Sequence, residues 1–284
     1  MISERNQRRI VKSVVTALGR KVVVINVNYM GLGNRLKLLA NFDTIWGLNN
    51  TTLLWNNQGW VNCRLQEIID IEGVTGWKEI PIRVTRCLPP IICVPEHDCF
   101  WPRGYWRFHV EEDLGPEFLI TRQGRTFPSI DSLYERTPQQ FVSRYRPFFA
   151  KLRPSPAVAQ RIAAIDVNPA DVCVQVRNTL DPDDQARTPH LESVIAQMER
   201  YPSHTNFFVS TLDASITSAL KKAFGSRVRE LPQKNYRSMI DATADMFLLA
   251  RGHELIVAAG STFGEVAWWL GDCRQSVIQL AAEN

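Results

Sequence analysis

The sequence predicts an α/β fold in two halves, and three observations carry that expectation. A near-continuous β-branched run, Lys21–Val27, leads into a glycine-containing turn and then an apolar pattern of helical period. A proline-marked break, Leu152-Arg153-Pro154-Ser155-Pro156, divides the chain. Beyond it, short apolar runs alternate with helix-period segments to the end, the pattern of a doubly wound parallel sheet.

Taken in order, residues 1–19 place Ile10, Val11, Val14, Val15 and Leu18 at helical spacing, which predicts a short polar helix. Lys21–Val27 reads as a strand buried on both faces. It ends in Gly31-Leu32-Gly33-Asn34, and a helix follows with Leu36, Leu38, Leu39, Phe42, Ile45 and Trp46. Thr52–Trp55 is the next strand, which completes one β-loop-α-β unit. Residues 56–130 hold many Trp, Pro and Cys residues and no clear repeat. Their aromatic run Phe100–Trp106 reads either as a loop packed on the first half or as a surface for stacking sugars.

A helix is expected over Pro138–Leu152, and the prolines at 154 and 156 set the boundary between residues 1–153 and 154–284. The second half then reads as strands at Val172–Val176, Asn206–Ser210, Val228–Leu231, Leu255–Ala258 and Val277–Leu280. Helices between them are expected at Pro189–Arg200, Ser215–Phe224, Arg237–Ala250 and Thr262–Leu270. In such sheets ligands sit at the carboxyl ends of the strands, so residues at strand exits matter most.

With 284 residues the chain is long enough for two ordinary halves, and 45% apolar with 22% charged residues is a soluble globular balance. A formal charge of +4, from scattered Lys and Arg, suits a small anionic ligand and gives no footprint for nucleic acid. The six cysteines make no Cys-x-x-Cys pair and no zinc-finger spacing, so free thiols in a reducing compartment are expected. The first residues lack the apolar stretch of a secretory signal, and no apolar run reaches membrane-span length. The expectation is a cytoplasmic protein with no membrane span. The five histidines form no triad and no metal spacing, so no metal is expected.

Four motifs could carry chemistry. Gly31-Leu-Gly-Asn-Arg-Leu36 follows a strand and opens a helix, whose free N–H groups favour anions. A nicotinamide-cofactor fingerprint would need a glycine where Leu36 stands and an acid where Trp55-Asn56 stands. In Val172–Arg177, alternation puts the valines on one face and Cys173, Gln175 and Arg177 on the other. Arg177, at the exit, is open to two roles: a phosphate clamp, or a pair with Asp181, Asp183 or Asp184. Asp241 and Asp245 share one helix face, and Asp245 enters a run of large apolar residues, so it needs a partner. A guanine edge would serve, as would a backbone group or an arginine. Finally, Gly260-Ser261-Thr262-Phe263 follows a strand and starts a helix, where the hydroxyls either cap the helix or hold a diphosphate.

In this order the motifs resemble the fucosyltransferase superfamily, which includes α1,2-, α1,6-, nodulation-factor and protein O-fucosyltransferases. The similar pieces are Gly31–Leu36, Val174–Arg177, Phe207–Asp213, and Asp245–Ala250 through Gly260–Phe263, with Phe148–Pro154 of similar flavour. Residues 56–130 have no counterpart in the resemblance. It implies a GT-B type fold, two Rossmann-like domains facing each other. The N-terminal domain would serve the acceptor and the C-terminal domain the nucleotide-sugar donor. It also implies an enzyme that transfers fucose from GDP-fucose with inversion and without a metal, to a glycan, lipid-linked or protein acceptor. By the resemblance Arg177 would stabilise the departing β-phosphate, with charge developing in the transition state. Asp245 would read the guanine, and Ser261, Thr262 and Phe263 would hold the phosphates and nucleotide. Gly31, Gly33 and Asn34 would meet the donor from the other domain.

Where the family has His-x-Arg at the strand exit this chain has Gln175-Val176-Arg177, and Asn178 follows. Glutamine still hydrogen-bonds a base edge. Asp43, Asp181 and Glu265 are the candidates for a catalytic base. The alternatives are a protein of the same fold that binds a nucleotide or glycan without turnover, and a transferase with another nucleotide-sugar donor.

Overall fold

The computed structural model describes residues 21–25, 31–49, 51–79, 91–94, 134–177 and 188–281. The chain forms two units: Met1–Ile130 with Lys151–Arg153, and Asp131–Ala150 with Pro154–Asn284. The predicted helix over residues 1–19 and the aromatic run Phe100–Trp106 lie outside the described residues.

In the first unit the β-branched run forms β1 (Lys21–Ile25), followed by α1 (Leu32–Trp46) and β2 (Thr51–Trp55). β1 and β2 are parallel, in register from Lys21↔Thr51 to Ile25↔Trp55, as the β-loop-α-β reading expects. Leu36, Leu38, Leu39 and Ala40 of α1 are buried with Leu53 and Trp55 of β2. β3 (Ile69–Ile71), β4 (Val74–Glu79) and β5 (Ile91–Val94) come from the stretch that showed no pattern. The sheet runs β4-β2-β1-β5, with β4 parallel to β2 and β5 antiparallel to β1. β3 and β5 are too short to show a period, and β4 has Gly76 in its interior, which weakens any strand signal.

The proline-rich break is itself structured. After α2 (Gln139–Ala150), β6 (Leu152–Pro154) pairs with β3, and the Glu72 N–H donates to the Lys151 carbonyl at 3.2 Å. Ser155 then accepts the Val158 N–H and caps α3 (Pro156–Ala163), with Pro156 at its first position. One proline closes a strand and the other opens a helix, where a missing N–H costs nothing.

The second unit continues with β7 (Val172–Val176), α4 (Leu191–Met198), β8 (Phe207–Thr211), α5 (Ala214–Phe224) and β9 (Val228–Arg229). It ends with α6 (Met239–Leu249), β10 (Glu254–Ala258), α7 (Thr262–Leu270) and β11 (Ser276–Leu280). These strands form a fully parallel sheet in the order β11-β10-β7-β8-β9. Val172, Val174 and Val176 face a core with Val194, Met198 and Leu220, which belongs to α4 and α5. The opposite face is covered by α6 and α7: the Cys173 thiol lies 3.8 Å from the Leu248 carbonyl of α6. This is the division of faces that strand alternation predicts. Gly264 lets α7 settle against β10, because a Cβ there would stand 2.6 Å from Val257 Cγ1. Trp269 stacks on Phe149 and meets Tyr145 edge-on, which fixes α2 to α7.

Cys63, Cys173 and Cys273 are free thiols. Among the described residues, no helix is long and apolar enough to cross a membrane.

Candidate functional site

In the second unit the strand order reverses between β7 and β10, which run out from the sheet's middle toward opposite edges. A crevice opens at the carboxyl ends of the strands at such a point. Gln175 pairs in register with Val257, so the exit Val176-Arg177 and the exit Ala258-Ala259-Gly260 lie side by side. Gly260 has φ +71, a left-handed turn that glycine enters without strain, and a Cβ there would meet no atom of the described residues within 4 Å.

The turn delivers Ser261, whose hydroxyl accepts the Gly264 N–H at 3.2 Å and caps α7. The Ser261 hydroxyl has its own proton left to donate. Thr262 and Phe263, both half-buried, form the first turn of α7, where backbone N–H groups have no intrahelical acceptor. The turn is fixed by Ala259 N–H to the Leu280 carbonyl at 2.8 Å and Ser261 N–H to the Ala258 carbonyl at 3.1 Å. Capping by Ser261 is therefore present, and an anion at the same amides is compatible with it. Arg177 stands half-buried directly after β7, while Asp181, Asp183 and Asp184 lie outside the described residues.

Gln175 is 8% exposed, and its side-chain oxygen has no hydrogen-bond partner among the described residues. Its register neighbour on β8, Ser210, donates to Asp245 Oδ2 at 2.8 Å. Lys234 Nζ also donates to Asp245 Oδ2, and to the Thr211 carbonyl at 2.8 Å. The Lys234 and Asp245 side chains are each 2% exposed, so this is a buried ion pair. Asp245 Oδ1 has no partner among the described residues. Burial pushes the Asp245 carboxyl up to about 6, against the pull of the Lys234 ammonium.

Asp241, one turn earlier, has separate partners. Arg161 Nε donates to it at 2.6 Å and the Asn235 N–H at 2.7 Å. Each carboxylate on this helix face thus has its own cation, which answers the like-charge cost of their spacing. Arg161 also reaches the Pro232 carbonyl at 2.7 Å, so the loop that carries Lys234 is pinned from α3. Sequence reasoning missed Lys234 and Ser210. The only sequence signal for Lys234 is a lysine shortly before the helix, in a loop with no motif of its own.

In the first unit, Gly31 caps α1 in extended geometry, with φ −67 and ψ 166. A Cβ there would make ordinary contact with the Trp60 ring at 3.9 Å, so neither backbone nor space demands glycine. Gly33 is buried and Asn34 half-buried, both inside the first turn of α1. Trp60 is 52% exposed beside that helix start. Arg35 is fully buried: Nη1 donates to the Asn56 carbonyl at 2.6 Å, and the guanidinium lies 4.7 Å from the Trp55 ring centre. Burial lowers its pKa to about 10. Arg35 thus ties α1 to the exit of β2.

Two of the three candidate bases are held in the framework. Asp43 pairs with Lys151 at 2.8 Å and accepts the Leu48 N–H at 3.0 Å. Glu265 is buried and accepts the Trp269 indole N–H at 3.4 Å. Asp181 lies outside the described residues. Among the described residues no group of three or more His, Cys, Asp or Glu could hold a metal ion.

No protein-family model and no curated protein matches the chain. Solved structures do. A mutant of Arabidopsis thaliana FUT1 in complex with GDP matches with TM-score 0.53 and 16% identity, over 96% of this chain and 75% of that one. The NodZ α-1,6-fucosyltransferase soaked with GDP-fucose matches with TM-score 0.48 and 18% identity, over 88% of this chain and 92% of that one. POFUT1 in complex with GDP matches with TM-score 0.46 and 11% identity, over 91% and 98%. At these identities the likeness to FUT1 is one of α/β fold.

Proposed function

We propose that the chain is an inverting glycosyltransferase that takes fucose from GDP-fucose and passes it to a hydroxyl of a glycan, lipid-linked or protein acceptor. What supports this most is the assembly at the β7/β10 switch point. There Arg177, the Ser261-capped start of α7 and the buried acceptors Gln175 and Asp245 come from neighbouring strand exits and the α6 face of one sheet. Under this reading the acceptor hydroxyl attacks the anomeric carbon on the face opposite the diphosphate. The bond from that carbon to the β-phosphate oxygen breaks, the phosphate takes the electron pair, and the hydroxyl's proton leaves to solvent water. Arg177 and the first amides of α7 meet that charge, a preorganised electrostatic contribution. Asp245 Oδ1 and Gln175 Oε1 accept N–H groups of the guanine edge. Gly31, Gly33 and Asn34 are proposed as further donor contacts on the strength of the motif resemblance.

The engagement of Asp43 with Lys151 and of Glu265 with Trp269 favours a second reading. In it the fold binds a nucleotide or glycan without transfer, or serves another sugar donor. Thermal melts with GDP, GDP-fucose, GDP-mannose, UDP and NAD separate these. A ligand at 100 times its dissociation constant adds about 2.7 kcal/mol to the folded state. Stabilisation by guanine nucleotides only, greatest with GDP-fucose, is the expected result. No response to any guanine nucleotide overturns the reading. Binding without transfer to any acceptor leaves the second one.

A further inference from the structure

Asp245 is presented to the proposed base site in an unusual way. A carboxylate usually reads two N–H donors with its two oxygens, yet here Oδ2 already accepts from both Ser210 Oγ and Lys234 Nζ. Each carboxylate oxygen offers about two acceptor positions, so Oδ2 is saturated and Oδ1 is what remains. Oδ1 has no partner among the described residues and belongs to a side chain that is 2% exposed. Gln175, in register with Ser210 on the adjacent strand, also has a side-chain oxygen without a partner among the described residues.

We infer that Lys234 is the positioning residue of this site: it keeps Asp245 ionised as an acceptor and fixes the carboxylate so that Oδ1 faces the ligand. The inference rests on the reading of Asp245 as the contact to the base. A buried carboxyl without its cation takes up a proton and becomes a donor, which repels the N–H edge it should accept. Among the described residues, the groups around Asp245 leave Lys234 as the cation in contact with it. β8 contributes the neutral Ser210, and α6 contributes Asp241, an anion already tied to Arg161 of α3. β7 contributes the neutral Gln175. From the loop, Tyr236 donates to Glu230 at 2.7 Å, and its ring lies 5.2 Å from Lys234 Nζ. The loop has little freedom to let Lys234 swing away. Arg161 holds the Pro232 carbonyl, Asp241 holds the Asn235 N–H, and Lys234 itself holds the Thr211 carbonyl.

The test measures two things in the full chain. Carbon-13 NMR follows the Asp245 carboxyl titration without ligand, and calorimetry follows GDP affinity from pH 6 to pH 9. In Lys234→Met the titration midpoint should move up by about two units. GDP affinity should fall about tenfold or more at pH 7 and recover toward pH 9. Lys234→Arg should keep the parent profile. Lys234→Gln, of similar length and without charge, replaces the Met variant if that one does not fold. A purely structural lysine would give a loss of affinity equal at every pH, and that result, or an unmoved midpoint in a folded variant, overturns the role of Lys234 alone. A parent protein that ignores GDP, or one whose Asp245→Ala variant binds GDP unchanged, overturns the base-site reading and the inference with it.

Discussion

Gly264 and Val257 approach so closely that a methyl group on Gly264 would stand 2.6 Å from Val257 Cγ1. This contact sets how near the start of α7 comes to β10, and so where the Ser261 turn lies beside Arg177. Alanine is the better helix former by about 1 kcal/mol. Overpacking outweighs that gain, so Gly264→Ala should lose about 1–3 kcal/mol in urea unfolding. Adding Val257→Ala should return part of the loss. Strictly additive effects in the double mutant would mean that the contact does not govern the packing.

Lys234 and Asp245 predict a second cycle. Removing only one partner of a buried pair leaves a charge without compensation, so Asp245→Asn should cost about 3–5 kcal/mol. Replacing both, as in Asp245→Leu with Lys234→Met, should cost much less. Equal costs for the single and double variants would show that the pair is not the relevant unit.

The same carboxyl gives stability a pH dependence of defined sign. Its folded pKa, about 6, lies above its ordinary 3.8, so the native state binds more protons than the unfolded state between those values. The Asp245 contribution is therefore fully present below about pH 4 and is lost as pH rises through 6. Glu230 acts in the opposite sense. Burial pushes it up, but donors from Lys221 and Tyr236 outweigh this and hold it below its ordinary value. Its contribution is present above pH 4.5 and lost as pH falls through its lowered folded pKa. Urea midpoints taken across pH 4–7 should fall with rising pH less steeply in Asp245→Asn than in the parent protein.

Much of the second unit was legible because its strands are buried on both faces and its helices fill the gaps between them. Val172–Val176 and Thr262–Leu270 fall at the bounds the pattern sets, and the other elements lie within about two residues. β3, β5 and β6 were not legible, since three or four residues cannot display a period. α3 was missed because only Val158 and Ile162 of its eight residues are buried. At the site, residues next to strand exits could be read from local pattern: Gln175, Arg177 and Ser261 stand where a parallel sheet presents them. The partners of Asp245 could not. Lys234 is 11 residues away and Ser210 is 35, and only the tertiary fold brings them to one oxygen. Asp43 makes the same point, since the lysine that occupies it is 108 residues on.

Ser261 caps α7, and the phosphate contact proposed for it separates from the cap by substitution. Losing the cap in Ser261→Ala should cost about 1 kcal/mol of stability, and Ser261→Gly only a few tenths. If the hydroxyl also donates to a phosphate, both variants should weaken GDP binding by a similar factor despite their different stabilities. Affinity that tracks stability across the two variants would leave Ser261 as a cap only.

Arg177 bears the heaviest demand of the proposed reaction. It is half-buried at a strand exit, and Arg177→Ala should leave the protein folded, which a melting curve checks. A group that meets charge only as the sugar–phosphate bond breaks acts on the rate more than on ground-state binding. The variant should therefore lose about 10²–10³ in kcat for fucose transfer, with a smaller change in the affinity for GDP-fucose. Arg177→Lys keeps the charge but not the planar, two-pronged donor set, and should recover only part of that rate. An Arg177→Ala protein that transfers at the parent rate would remove the phosphate clamp from the mechanism. Loss of GDP binding in equal measure to rate would instead place the guanidinium on the diphosphate throughout, binding the ground state and the transition state alike.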